Sequence, residues 1–81
     1  MEDKKFLNRI VVDPKIMTGK PVIKGTRLTV QYILGLLAQG MDTEDILKEY
    51  KNVTKEDIFA CLTFAQNTLD HTVFAPLFIN H

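Results

Sequence analysis

The chain of 81 residues is poor in the residues that stabilise small proteins covalently or through a metal ion. Its single cysteine, Cys61, excludes an internal disulfide, and no cysteine or histidine residues have the spacing of metal ligands. Met1–Lys5 does not resemble a signal peptide, and no apolar run is long enough to cross a membrane. We therefore expect a cytoplasmic protein without cofactor or metal, stabilised by its core and by a partner chain.

The chain also has no net charge, but its charges are unevenly distributed. Residues 1–30 hold seven basic and three acidic side chains, whereas residues 31–81 hold three basic and seven acidic ones. Because local positive charge attracts a polyanion, DNA would meet the first segment rather than the second.

Glycine and proline are few, and more than half of them fall between Phe6 and Leu28. These helix-breaking residues are Pro14, Gly19, Pro21 and Gly25. The β-branched run 9–12, and the runs 21–23 and 27–29 around a glycine turn, predict one or two short antiparallel pairings. Such a ribbon is unstable alone, so we expect it to pack on helices.

Three helices follow this segment. The first is predicted to begin after the N-cap Thr29, to end near Gln39 and to be followed by a left-handed Gly40. Its apolar residues recur at helical spacing and are Val30, Ile33, Leu34, Leu37 and Ala38. Gly35 inside this helix indicates a close approach, most simply by a neighbouring helix.

The other two helices begin with the same local pattern, an apolar residue, a capping residue and an acid three positions later. They are predicted at about Thr43–Tyr50 and Lys55–Leu69, joined tightly as a helix-turn-helix or a plain helical hairpin. The side chains predicted to be buried are Ile46, Leu47 and Tyr50 in the second helix, and Ile58, Cys61, Leu62, Ala65 and Leu69 in the third.

The segment Asp13–Leu28 reads D-P-K-I-M-T-G-K-P-V-I-K-G-T-R-L and resembles a bacterial and archaeal family known as domain of unknown function 433. Every fixed position of its pattern D-P-x-I-x-x-G-x-P-x-I-x-G-T-R-[ILV] is present. Later matches are Gly40, Ile46, Tyr50, Thr54, Asp57 and Ala65, and Lys51 stands where proline is usual. The resemblance covers about residues 9–70.

This resemblance implies a mainly α fold, a homeodomain-like three-helix bundle of helix-turn-helix type with a small N-terminal β-hairpin. The expected organisation is a flexible arm at 1–8, the domain at 9–70 and an apolar tail at 71–81. The resemblance also implies the antitoxin of a toxin–antitoxin pair, whose toxin resembles a PIN-type nuclease.

The candidate residues for binding DNA or a partner are Lys20, Lys24, Thr26, Arg27, Thr63 and Asn67. Arg27 either pairs with an acidic helix residue or faces a phosphate or an acidic partner. The outward face of the third helix, predicted as Glu56, Ala60, Thr63, Asn67 and Asp70, carries no basic residue. Insertion of this helix alone into a major groove is therefore disfavoured.

Aromatic residues supply the candidate interface with a second copy or with the toxin, namely Phe59, Phe64, Phe74 and Phe78. The tail either covers the core of its own chain or docks on a partner, and we expect a homodimer. His71 and His81 are expected at the surface.

Three functions remain open. The first is an antitoxin that binds a PIN-like toxin and also double-stranded operator DNA. The second is a protein-interaction or dimerisation module that does not bind nucleic acid. The third, an enzyme that acts on phosphate esters through Arg27 and Asp13, lacks a general base and a set of metal ligands. We therefore predict no catalytic residue.

Overall fold

The structure, a computed structural model, describes residues 4–71, with side chains from Phe6 onward. Its elements are α1 (Lys4–Leu7), β1 (Ile10–Val11), β2 (Val22–Ile23), α2 (Val30–Ala38), α3 (Thr43–Glu49) and α4 (Lys55–Asp70), with a 3-10 turn at Met17–Gly19. The three predicted helices correspond to α2, α3 and α4. Across residues 4–71, no helix has both the length and the apolar character needed to span a lipid bilayer.

The segment between Phe6 and Leu28 forms the predicted ribbon. Strands β1 and β2 pair antiparallel, with Ile10 opposite Ile23 and Val11 opposite Val22. Val22 also forms an isolated antiparallel bridge to Thr29, so the segment has two short pairings, within the one or two predicted. The side chains of Val22 and Ile23 are buried, and the ribbon packs against α4 through β1. The ribbon thus gains from the helices the support that two strands lack alone.

The predicted helix starts are confirmed in detail. In α3, the Asp42 carboxylate accepts a hydrogen bond from the Asp45 amide, and the Asp45 carboxylate accepts one from the Asp42 amide. Thr54 and Asp57 form the same reciprocal capping box at the start of α4. Each box satisfies backbone amides that the first helical turn leaves without a partner.

The core lies where the ribbon and helices α2, α3 and α4 meet. Its buried cluster consists of Ile23, Val30, Ile33, Ile46, Val53, Ile58 and Cys61. Burial, and secondarily the charge of Asp57, raises the pKa of the Cys61 thiol to about 12. Cys61 therefore stays protonated in the folded chain at neutral pH and acts as a small core residue, as its position in the apolar pattern predicts.

The buried face of α4 differs from the predicted one. Leu62 and Leu69 were predicted to be buried but are 45 and 52% exposed, whereas Ala60, predicted on the outer face, is fully buried. The reason is that α1 and β1 both pack on α4, and its buried face includes the small Ala60. The apolar periodicity of one helix gives no information about this contact with the N-terminal segment.

The N-terminal segment, predicted as a flexible arm over residues 1–8, contains a short helix. Lys4–Leu7 forms one helical turn, α1, which packs on α4. The Phe6 ring lies against the Phe59 ring, with 5.7 Å between their centroids and a tilted arrangement. Aromatic pairs at this distance attract one another beyond their apolar burial, which accounts for the docking of so short a helix.

Gly35 provides a further correction, because no close packing explains its place in α2. A Cβ atom built there meets no atom within 4 Å, apart from its own helix and chain neighbours, whereas Gly40 has a φ of +100°. We expect Gly35→Ala to raise the free energy of unfolding by about 0.5–1 kcal/mol and Gly40→Ala to lower it by about 1 kcal/mol or more. Urea denaturation checks both, and destabilisation by Gly35→Ala would contradict the open surroundings of this residue.

Candidate binding site

The candidate site is built on the turn that follows β2. The Thr26 hydroxyl donates a hydrogen bond to the Ile23 carbonyl over 2.8 Å and accepts one from the Leu28 amide over 3.0 Å. Gly25 has a φ of +82°, a conformation that glycine adopts without strain. The Thr26 hydroxyl, predicted to bind DNA or a partner, is thus engaged in closing this turn, and the exposed Arg27 follows it directly.

An open depression of about 690 Å³ lies beside this turn. One wall is Ile16 and the turn residues 25–28, and the other is the segment 49–52, at the end of α3 and the start of its connection to α4. Arg27 also lines a smaller depression of about 220 Å³ together with Met17 and Tyr32. Arg27 therefore lies between two openings and is accessible from both.

A pair of tyrosines connects the two openings. The hydroxyl groups of Tyr32 and Tyr50 form a hydrogen bond, and their rings meet edge to face with centroids 5.9 Å apart. Tyr50 lines the larger depression and Tyr32 the smaller one. The hydrogen bond with Tyr32, followed by burial and the nearby charges, raises the pKa of Tyr50. Tyr50 is therefore neutral at physiological pH, and the two hydroxyl groups form a polar wall beside Arg27.

Arg27 itself has no acidic partner among residues 6–71. Among the side chains described from Phe6 to His71, none forms a salt bridge or hydrogen bond with it, although Glu49 lines the same depression. The ion pair found in this part of the chain instead joins Arg9 to Asp57 over 3.2 Å. Of the two alternatives for Arg27, an ion pair with a helix is thus not formed among the described residues, and its charge is available for a ligand.

Apart from Thr26, the other predicted binding residues do not line the two openings beside Arg27. Lys24 lines a separate depression of about 420 Å³ beside Arg9 and Asp57. Lys20 is exposed and lines neither this depression nor the two beside Arg27. Thr63 is half-buried on α4, while Asn67 lines a third depression of about 350 Å³ near the N-terminal segment. The structure therefore separates residues that the sequence grouped only by chemical type.

Of the four aromatic residues predicted for the interface, two lie among the described residues. Phe59 is 41% exposed, although its ring contacts Phe6. Phe64 is half-buried and packs against the core, so only part of its surface is open to a partner, and its role in an interface stays a prediction. Phe74 and Phe78, like the predicted tail beyond His71, lie outside the described residues.

Sequence reasoning missed the opposite wall of the depression. Tyr50 was singled out only as a core and family position, and Lys51 only as a departure from the usual proline. Asp13, the candidate partner of Arg27 in an enzyme, is not among the residues that line the depression, and its carboxylate accepts a hydrogen bond from the Lys15 amide over 2.9 Å. Over residues 4–71, no group of three or more histidine, cysteine or acidic residues could hold a metal ion.

The architecture is that of a small, mainly helical domain with a two-stranded ribbon, and the depression of about 690 Å³ adjoins its sequence motif. The sequence profile of the family described as "Protein of unknown function (DUF433)" matches residues 10–65. This match covers more than half of the chain, so the protein belongs to the DUF433 family.

Two relatives accompany this family match. An uncharacterized protein from Archaeoglobus fulgidus is 67% identical over 24 residues, which are 30% of this chain and 67% of that protein. The crystal structure of a DUF433 member protein from Anabaena variabilis superposes with a TM-score of 0.74 at 24% identity, covering 83% of this chain and 66% of that one. This chain thus spans slightly less than two thirds of that protein, and the likeness shows a shared fold.

Proposed function

We propose that this protein is a non-catalytic regulatory module of the antitoxin type, which binds an acidic surface of a PIN-like toxin through Arg27. The observation that carries the proposal is the exposed Arg27 guanidinium, which has no acidic partner among the described side chains and opens onto two depressions. A guanidinium group binds carboxylates in a forked geometry and costs less to desolvate than an ammonium group.

The surroundings of Arg27 favour a protein ligand. The tyrosine pair supplies aromatic surface with polar edges, and Leu28 adds apolar surface to both openings. Aromatic and arginine side chains are enriched at the centres of protein interfaces, where they carry much of the binding energy. A nuclease that binds metal ions through carboxylates offers the complementary acidic surface.

The test is the affinity of the purified chain for the product of the adjacent gene. We expect Arg27→Glu to weaken binding by about 30-fold or more, because a carboxylate replaces the cation that faces the acidic partner. Lys48→Glu makes the same charge change at an exposed position of α3 that does not line either opening and should alter the affinity by less than about threefold. Isothermal titration calorimetry of the three chains measures this, and equal affinities would refute the role of Arg27.

DNA is the second candidate ligand, because Lys51 lines the same depression as Arg27 and two cations could contact neighbouring phosphates. Against it stand Glu49 at the same depression and α1, which packs on α4, the helix that a helix-turn-helix protein would use for recognition. Fluorescence anisotropy with the promoter of its own gene at several salt concentrations separates the candidates. DNA binding through this pair predicts an affinity that falls with salt with a logarithmic slope of about −2.

A further inference from the structure

The solvent-facing side of α4 carries three large apolar side chains. Phe59, Leu62 and Leu69 are 41, 45 and 52% exposed. They are separated by three and seven residues, the spacing with which apolar residues line the seam between two packed helices. The exposed Gln66 occupies the remaining position of this seam. These four residues form the α4 stripe, which lies opposite the buried Asp57, Ala60 and Cys61.

The α4 stripe ends in opposite charges. Lys55 is the first residue of α4 and Asp70 the last, and both are exposed. A helix of 16 residues is about 24 Å long, so these charges lie at its two ends. An identical helix laid antiparallel, with Leu62 facing its own copy, brings Lys55 beside Asp70 of the second copy at each end. A parallel arrangement would instead place like charges together.

We propose that two copies of the chain associate through the α4 stripe, antiparallel about a two-fold axis near Leu62. Phe59 then packs against the aliphatic stem of Gln66 of the second copy, and the Lys55–Asp70 pair forms twice, as two-fold symmetry requires. Four side chains cover less area than a standard interface, which buries about 800 Å² per partner. This dimer therefore dissociates on dilution. None of the residues lining the Arg27 depression belongs to the stripe, so the dimer leaves that site accessible.

Sedimentation velocity of the full chain, from about 1 to about 300 μM, tests the association. The average mass should rise from one chain towards two, and Leu62→Glu should weaken dimerisation by about 30-fold or more, because it buries a charge at the symmetry axis. Val12→Glu is the matched control, since Val12 is 61% exposed and lies outside α4. It should dimerise like the parent chain.

Charge exchange tests the orientation. Lys55→Glu or Asp70→Lys alone should weaken the dimer by about three- to tenfold, and the two together should restore it. Both changes suit the helix dipole, so a loss of association is not a loss of folding. Three results would overturn the proposal: a parent chain that stays monomeric, a Leu62→Glu chain that dimerises normally, or a double variant that dimerises no better than the single ones. If residues 72–81 cover the stripe of their own chain, the parent chain stays monomeric and Leu62→Glu lowers its melting temperature.

Discussion

Replacing Ile58 with alanine is expected to lower the free energy of unfolding by about 2–5 kcal/mol, because it removes three buried carbon atoms and leaves a cavity. Ile58 is 1% exposed and belongs to the central cluster contributed by the ribbon and all three longer helices. Leu62→Ala, one turn later on the same helix, should cost less than about 1 kcal/mol because Leu62 is 45% exposed. Urea denaturation at a concentration where the chain is monomeric measures both values.

The Ile58 effect is large relative to the whole fold. A domain of 81 residues has a free energy of unfolding of about 4–12 kcal/mol, so Ile58→Ala removes a major part of it. Apolar periodicity placed both Ile58 and Leu62 in the core, and it therefore predicts similar costs. Costs within about 0.5 kcal/mol of one another would show that Leu62 is buried after all and would contradict the orientation of α4 described above.

Helix ends could be predicted from the sequence because their chemistry is local. A capping box needs only four consecutive residues, and those beginning at Asp42 and Thr54 form as predicted. The end of α2 could also be predicted, because the positive φ at Gly40 is a conformation that costs other residues free energy. These features require no knowledge of the rest of the chain.

The buried face of α4 could not be predicted in the same way. Apolar residues occupy more than one face of this helix, and both the buried Ile58 and Cys61 and the exposed Leu62 and Leu69 fit its apolar spacing. The contact of α1 and β1 with α4 decides between these faces, and that contact joins residues about fifty positions apart. Side-chain periodicity within a helix contains no information about which neighbour will cover it.

The candidate site shows the same division between local and distant information. The motif singled out Arg27, and its turn could be predicted from Gly25 and Thr26 alone. The opposite wall at Tyr50 is separated from that turn by α2 and α3, so its approach depends on how those helices pack. For the same reason, the sequence could not decide whether Arg9 or Arg27 pairs with a helix.

Replacing Asp57 with alanine is expected to lower the free energy of unfolding by about 2–3 kcal/mol, because two donors lose a charged acceptor. One carboxylate oxygen accepts a hydrogen bond from the Thr54 amide over 3.0 Å, and the other accepts one from the Arg9 guanidinium over 3.2 Å. Asp57 is 6% exposed, so solvent only partly replaces these bonds. Its matched control is Asp45→Ala, the same capping position in α3.

Asp45 is exposed and bonds to the Asp42 amide over 3.4 Å, with no cation beside it among the described residues. Its loss should cost less than about 1 kcal/mol, so the difference between the two variants reflects burial and the ion pair. Arg9→Ala separates these causes. Because the Arg9 side chain is 41% exposed, the coupling between Arg9 and Asp57 should be only about 0.5–1 kcal/mol and should fall in high salt.

A double-mutant cycle over Arg9 and Asp57, measured by urea denaturation, gives this coupling directly. A double variant that costs less than the sum of the single ones would support an ion pair that fastens the ribbon to α4. Additive effects within about 0.3 kcal/mol would mean that Asp57 acts only as a helix cap. The ribbon, and with it the turn that presents Arg27, would then be held on α4 by apolar contacts such as the packing of Ile10 against the core.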